Sequence, residues 1–132
     1  MYNKNDLIKD IEQQGKLLGI SRTYGKGSVI VMNLNPRYYL VVAESNIAPD
    51  YECFWGVTRN VIENLEKDNR DYALVLMDTQ NEQVYVYDSE KAKQLLSKAS
   101  YEKKSGNYRI KGSEVSNPIN YNTFYEFLDT LE

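Results

Sequence analysis

A basic stretch containing two tyrosines is the part of the chain whose residue types best fit a chemistry. It runs from Asp88 to Gly112 and holds seven basic residues against three acidic ones. Lysine and arginine neutralise phosphates and aromatic rings stack on bases, so the mixture is typical of a nucleic-acid contact. The predicted contact residues are Lys91, Lys93, Lys98, Tyr101, Lys103, Lys104, Tyr108, Arg109 and Lys111. The alternative interpretation is a solvated helix face that runs into a basic loop.

Two absences limit the chemistry that this chain can perform. It contains no histidine and a single cysteine, Cys53. Histidine is the usual proton-transfer group near neutral pH, and with cysteine it supplies most transition-metal ligands. A catalytic thiol also needs a neighbouring base. We therefore expect no catalytic residue, no metal site and no cofactor, and we interpret Cys53 as a buried structural residue.

Carboxylates are the remaining route to catalysis, since oxygen ligands suit Mg²⁺ and Mg²⁺ supports phosphodiester cleavage. The letters of a nuclease signature occur in Pro49-Asp50 and in Glu102-Lys103-Lys104. Both segments lie in predicted loops, whereas rigid strands normally aim such groups. Glu44 ends a predicted strand but has no lysine two residues later. A metal-dependent nuclease-like domain is therefore kept as an alternative function.

The segment Gly25-Lys26-Gly27-Ser28 contains letters of a phosphate-binding loop. Gly19 lies one residue too far upstream, and the hydroxyl residue does not directly follow the lysine. The segment also leads into a predicted strand, whereas that motif must open a helix for its amides to hold phosphate. We interpret it as a flexible glycine turn.

An acidic stretch precedes the basic one. From Glu44 to Glu82 there are nine acidic residues against three basic ones. Such asymmetry can steer a charged partner, and carboxylates can imitate phosphates toward a DNA-binding protein. Trp55, the only tryptophan, would anchor a protein interface if it were exposed. A protein-binding inhibitor of the kind carried by mobile elements is therefore a second alternative.

The hydrophobic spacing predicts the elements that must position these residues. Helices are predicted at residues 6–18, from 54 to about 67, 89–99 and 121–131, with Asp88 or Ser89 capping the third and a Thr123/Glu126 capping box in the fourth. Strands are predicted at residues 29–34, 37–43, 72–77 and 83–87, with a short edge strand at 108–110 and a loop at 100–106. The nearly continuous apolar run at 72–77 indicates a strand covered on both faces.

Hairpins that alternate with helices predict an α+β fold with one domain over residues 1–132. We expect a mostly antiparallel or mixed sheet built from two hairpins, because neither hairpin can bury its apolar face alone. The helices pack on this sheet. The expected common core contains Ile11, Val41, Val61, Leu74, Val86, Leu95 and Leu128.

Several of these segments together resemble the back half of restriction-endonuclease-like domains. The resemblance covers residues 54–111: Phe54-Trp55-Gly56-Val57, a helix to Leu65, apolar runs at 72–76 and 84–87, Leu95-Leu96 and Asn107-Tyr108-Arg109-Ile110. It implies a DNA-associated α/β domain. The chain departs from that family because no acid and Glu-x-Lys pair lies on the predicted strands, so the resemblance implies an inactive relative rather than an enzyme.

Length and composition are those of an ordinary globular protein, with 132 residues, 42% hydrophobic and 27% charged. The acidic N-terminus does not fit a signal peptide, and no apolar run approaches the roughly 18 residues of a transmembrane helix. We therefore expect a cytoplasmic protein with no membrane contact. The predicted function is that of a small non-catalytic binding protein associated with DNA or with a DNA-processing protein.

Overall fold

The computed structural model describes residues 2–16, 19–21, 23–24, 27–35, 38–47 and 53–130. Its α-helices are α1 (Lys4–Gln13), α2 (Arg59–Lys67), α3 (Ser89–Lys98) and α4 (Tyr121–Asp129). Its strands are β1 (Gly19–Ile20), β2 (Ile30–Asn35), β3 (Tyr38–Glu44), β4 (Asn46–Ile47), β5 (Cys53–Thr58), β6 (Asp71–Asp78), β7 (Gln83–Asp88), β8 (Ser100–Glu102) and β9 (Asn107–Lys111). A 3-10 turn, Gly112–Glu114, follows β9. The predicted α+β class is confirmed.

The first sheet contains both predicted hairpins. Its strand order is β1-β2-β3-β6-β7, with β3 and β6 parallel and the other neighbours antiparallel. The β2–β3 and β6–β7 hairpins therefore share one mixed sheet, as predicted. In β6, residues 72–78 are all buried, and this confirms a strand that is covered on both faces.

The buried hydrophobic residues that the structure describes form two clusters, one on each face of the first sheet, rather than the common core that we expected. One cluster joins Val41 and Leu74 of the sheet to α2, α3 and the buried side of a second sheet. The other joins Val42 and Val75 to α1 and α4. Of the residues expected in one core, Val41, Val61, Leu74 and Leu95 belong with the first cluster, and Ile11, Val86 and Leu128 with the second. The separation follows from the pleat, because successive residues of a strand face opposite sides.

The second sheet, in the order β4-β5-β9-β8, was not predicted. The helical spacing of Phe54, Val57 and Val61 predicts a helix from residue 54, and for residues 54–58 this prediction is wrong, because they belong to β5. The observed burial alternates, with Trp55 and Val57 buried and Phe54 and Gly56 half-buried, and this is the period of a strand. The helix begins only at Arg59.

The same sheet corrects the predicted loop at residues 100–106. Its first residues form β8, which pairs with β9 in the register Tyr101 to Tyr108. Consequently β9 lies between β5 and β8 and is not an edge strand as predicted. The signal was weak because β8 spans only three residues, each of them exposed.

Of the two helix caps predicted from the sequence, one is confirmed and the other is wrong. Asp88 caps α3 and accepts a hydrogen bond from the backbone N–H of Lys91 at 2.9 Å, as expected. In α4 the cap is Asn120, whose side chain accepts from the N–H of Thr123 at 2.8 Å, so the Thr123/Glu126 capping box is wrong. The first helix spans Lys4–Gln13, so the predicted helix at 6–18 is wrong for residues 14–16: Gly15, with a φ of +71°, ends it, and residues 17 and 18 lie outside the described ones.

Among the residues that the structure describes, no helix is long and apolar enough to cross a bilayer.

Candidate nucleic-acid interface

The second sheet has a buried face and an open face, and the basic residues of β9 lie on the open one. Trp55, Val57 and Ile110 point into the core cluster. The residues between them point the other way, and strand pairing arranges them in rows across the sheet. The rows are Glu102, Asn107 and Thr58, then Ser100, Arg109 and Gly56, then Lys111 and Phe54. We call this surface the open face.

The guanidinium of Arg109 lies over an aromatic ring on the open face. Its guanidinium carbon is 4.0 Å from the centroid of the Phe54 ring. The two residues are diagonal neighbours, because Arg109 pairs with Gly56 and Phe54 pairs with Lys111. This cation–π contact holds a flexible side chain in one orientation with the charge at the surface. Phe54 was missed as a site residue because it was assigned to a helix.

A second cation–π contact lies on the opposite side of the same sheet. Tyr101 and Tyr108 meet edge to face with ring centroids 5.7 Å apart, and the guanidinium of Arg59 lies 4.9 Å from the centroid of the Tyr101 ring. The guanidinium of Arg59 also donates a hydrogen bond to Glu63, and this bond raises its pKa. Tyr101 is 40% exposed. Arg59 was missed because no sequence pattern shows that the start of α2 meets β8.

The remaining predicted residues lie in two places. Lys103 and Lys104 are exposed in the turn between β8 and β9, beside both faces of the sheet. The lysines of α3 are also exposed, namely Lys91, Lys93 and Lys98. Lys93 lines a separate depression with Arg70, Asp71 and Glu66. The structure therefore brings Lys103, Lys104, Arg109 and Lys111 to one sheet, but the nine predicted residues do not share a single face.

Charge pairing differs between the basic and the acidic stretches. Within the described ranges, none of the seven cations between Asp88 and Gly112 forms an ion pair. Acidic side chains between Glu44 and Glu82, by contrast, mostly have partners inside the fold. These contacts are Glu44 with Lys4, Glu63 with Arg59, Glu66 with the hydroxyl of Tyr72, Asp68 with the hydroxyl of Tyr24, and Asp78 with Asn81 and Gln83. The basic charges are thus the ones available to a partner.

A shallow depression of about 240 Å³ lies on the open face. Its floor includes Gly56, which contributes no side chain, and its walls include Phe54, Arg109, Glu102, Ser105 and Asn107. It therefore combines a planar cation stacked on a ring with an amide, a hydroxyl and a carboxylate. That set suits a flat heterocycle with polar edges.

A hydrogen-bond chain fixes the amide of Asn107 beside the depression. The N–H of Ser28 donates to Oγ1 of Thr58 at 3.1 Å, and the Thr58 hydroxyl donates to Oδ1 of Asn107 at 3.1 Å. The hydroxyl of Ser28 donates to the carbonyl oxygen of Gly56 at 2.7 Å. The amide nitrogen of Asn107 lies 3.4 Å from the position of a Cβ built on Gly56, so it is the end of the amide that faces the depression.

The other sequence candidates have structural places. Trp55 is 1% exposed, so it packs in the core and cannot be the exposed anchor of a protein interface. Cys53 is half-buried rather than buried as predicted. Glu102 lies on β8 and not in the predicted loop. Asp50 lies outside the described residues, as do Gly25 and Lys26 of the glycine turn.

No group of three or more cysteines or carboxylates that could hold a metal ion occurs in the described part of the chain. Comparison with protein-family models, curated protein sequences and solved structures finds no match.

Proposed function

We propose that this chain is a small non-catalytic protein that binds nucleic acid through its second sheet and the basic turn between β8 and β9. Lys103 and Lys104 contact phosphates, together with Arg109 and Lys111. Lys91, Lys93 and Lys98 of α3 extend the positive field, and Tyr101 and Tyr108 border the contact on the other face. The setting we propose is cytoplasmic, and DNA is the form that the resemblance to restriction-endonuclease-like domains favours.

The observation that best supports this proposal is the contrast in charge pairing. Neutralising a phosphate releases counterions only if the cation is not already engaged with a carboxylate of the protein. The cations of the basic stretch meet that condition among the described residues, and Arg109 is also held in place by Phe54. The acidic stretch supports the protein-binding alternative less well, because its carboxylates mostly serve contacts within the fold.

Fluorescence anisotropy with labelled oligonucleotides tests the proposal. Both single-stranded and duplex DNA are titrated at two salt concentrations. We expect binding at low salt that weakens steeply as salt rises, with a log–log slope of roughly one per phosphate contacted. The double variant Lys103→Glu, Lys104→Glu should reduce both the affinity and the slope.

The matched control is the double variant Lys9→Glu, Lys67→Glu, which has the same net charge. Both of its lysines are exposed and lie outside the basic stretch. If nucleic acid is not bound at low salt, or if the two double variants lose the same affinity, the proposed surface is wrong.

A further inference from the structure

We infer that the depression on the open face receives one unpaired base, so that the ligand is single-stranded nucleic acid with a preference for guanine. This inference rests on the proposed function and goes on to name the form of the nucleic acid and the base. Three features of the depression lead to it: a stacking surface, a floor without side chains and a polar edge.

The stacking surface is the guanidinium of Arg109. Its central carbon lies over the Phe54 ring, 4.0 Å from the ring centroid, and Arg109 is only half-buried, so part of the planar group is accessible to a ligand. Among the described residues, no carboxylate forms an ion pair with this guanidinium that would compete with a ligand. Guanidinium planes and aromatic rings are the groups on which proteins stack unpaired bases.

The strandedness follows from the shape of the site. In a duplex the faces of each base are covered by its neighbours, and only the base edges are reachable from the grooves. The depression lies against the face of the sheet, between residues of β5, β8 and β9, so a ligand stacked there meets the sheet with its flat side. A base can therefore stack on Arg109 only if it has left the duplex or was never paired.

The floor allows a base to approach the sheet closely. Gly56 lies in the same row as Arg109, and a Cβ built there would stand 3.4 Å from the amide nitrogen of Asn107 and 3.5 Å from Oγ of Ser28. A methyl group at this position would therefore be tolerated by the fold and would occupy part of the depression that Gly56 lines. Gly56 thus leaves space for a ligand, although the backbone conformation at this position does not require glycine.

The polar edge is formed by Asn107 and Glu102, which pair directly across β8 and β9. Asn107 presents its amide N–H groups, because its nitrogen lies toward Gly56 while its Oδ1 accepts from Thr58. Glu102 presents a carboxylate that forms no ion pair with a described residue. A carboxylate accepts best from two adjacent donors, and guanine has N1–H and the N2 amino group side by side with O6 next to them. Guanine thus matches the carboxylate and the amide together.

The experiment uses single-stranded thymine oligomers of equal length that contain one central guanine, adenine or cytosine, and the duplex of the guanine oligomer. Each is made as DNA and, with uracil, as RNA, so that the sugar preference is read separately. Anisotropy titrations should show the guanine oligomer binding roughly five-fold or more tightly than the adenine oligomer, as expected for a bidentate base contact. The duplex should bind more weakly than the guanine oligomer.

Three variants separate the contributions. Arg109→Lys keeps the charge but loses the planar group, so single-strand affinity should fall while the salt dependence stays close to the original. Glu102→Gln should remove the preference for guanine without reducing binding to the adenine oligomer. Gly56→Ala should weaken all single strands and leave duplex binding unchanged. Circular dichroism confirms that each variant is folded.

The outcomes distinguish this inference from the proposed function. If single strands and duplex bind equally, or if Arg109→Lys and Glu102→Gln both behave as the original protein, the base site is wrong while phosphate binding stands. If no oligonucleotide binds at low salt, both proposals are wrong.

Discussion

The indole N–H of Trp55 donates a 2.9 Å hydrogen bond to the backbone carbonyl oxygen of Met77, and this bond joins the two sheets of the fold. Trp55 lies on β5 of the second sheet and Met77 near the end of β6 in the first. The indole also meets the ring of Tyr85 edge to face, with centroids 5.6 Å apart. The strand β5 is thus attached to the core through its buried face, and the open face lies on the other side of this strand.

Replacing this tryptophan should loosen the attachment of the second sheet. Trp55→Phe removes the donor and part of a buried ring, and we expect a loss of about 1–3 kcal/mol in the free energy of unfolding. The loss stays moderate because the N–H of Ser45 also donates to the Met77 carbonyl, at 2.9 Å. Urea unfolding followed by circular dichroism measures it. A loss below about 0.5 kcal/mol, typical of a surface substitution, would contradict the structural role.

The first sheet could be predicted from the sequence because its strands carry the clearest signals. Residues 72–77 form an uninterrupted apolar run that ends at Asp78. The turn after Asp78 separates this run from a second strand-like run. The second sheet could not be predicted for a physical reason. Its longest strand, Cys53–Thr58, leads directly into α2, so the apolar residues of strand and helix merge into one pattern of helical spacing. Its edge strand β8 has no buried residue to signal its presence.

The caps of α4 provide a direct comparison of a sequence pattern with the observed geometry. Asn120→Ala removes the acceptor of the Thr123 backbone N–H and should cost about 1 kcal/mol. Thr123→Ala should change stability by less than about 0.5 kcal/mol, because the Thr123 side chain is exposed and caps nothing. Both variants are compared by urea unfolding. A larger loss for Thr123→Ala than for Asn120→Ala would favour the sequence-based capping box instead.

Gly27 lies so close to Thr58 that a side chain at position 27 would not fit. Its φ is +74°, and a Cβ there would collide with Oγ1 of Thr58, the hydroxyl that orients Asn107. Gly15 has a similar φ of +71° but open space around it. Gly27→Ala should therefore lose at least about 1 kcal/mol more stability than Gly15→Ala, which isolates the collision from the shared backbone strain. Equal losses in thermal or urea unfolding would show that Thr58 is not held against this turn.

The candidate site could be predicted only in its charges. The basic residues from Lys91 to Lys111 are evident in the sequence, because a local excess of lysine can be recognised without knowledge of the fold. Phe54 and Arg59 could not be found in the same way. Phe54 meets Arg109 only because β5 pairs with β9, and Arg59 meets Tyr101 only because α2 begins beside β8. The partners are about 40 to 55 residues apart in the chain, and the pairing of β5 with β9 has no local signature in the sequence. Tyr108 and Arg109 are consecutive residues of β9 and therefore lie on opposite faces of the sheet. This separation could have been predicted only if β9 had first been recognised as an inner strand.

The cluster formed by Tyr2, Asp10 and Tyr125 makes stability depend on pH in the alkaline range. The hydroxyl of Tyr125 donates to Oδ2 of Asp10 at 2.9 Å, and the hydroxyl of Tyr2 contacts both of these side chains. Burial, together with the Asp10 carboxylate, raises the pKa of Tyr125 to about 12, and burial raises the pKa of Tyr2 as well. In the unfolded chain a tyrosine titrates near pH 10.

Because the folded pKa lies above the unfolded one, the stabilisation is fully present below about pH 10 and is lost as pH rises through about 12. Urea unfolding at pH 8, 10 and 11.5 should show a free energy of unfolding that falls only above pH 10. Tyr125→Phe should be less stable at pH 8 but lose less stability between pH 10 and 11.5. Some dependence remains, because burial also raises the pKa values of Tyr72 and Tyr121. Tyr101→Phe, whose hydroxyl bonds to no described residue, is the control, and a Tyr125→Phe profile parallel to that of this control would contradict the assignment.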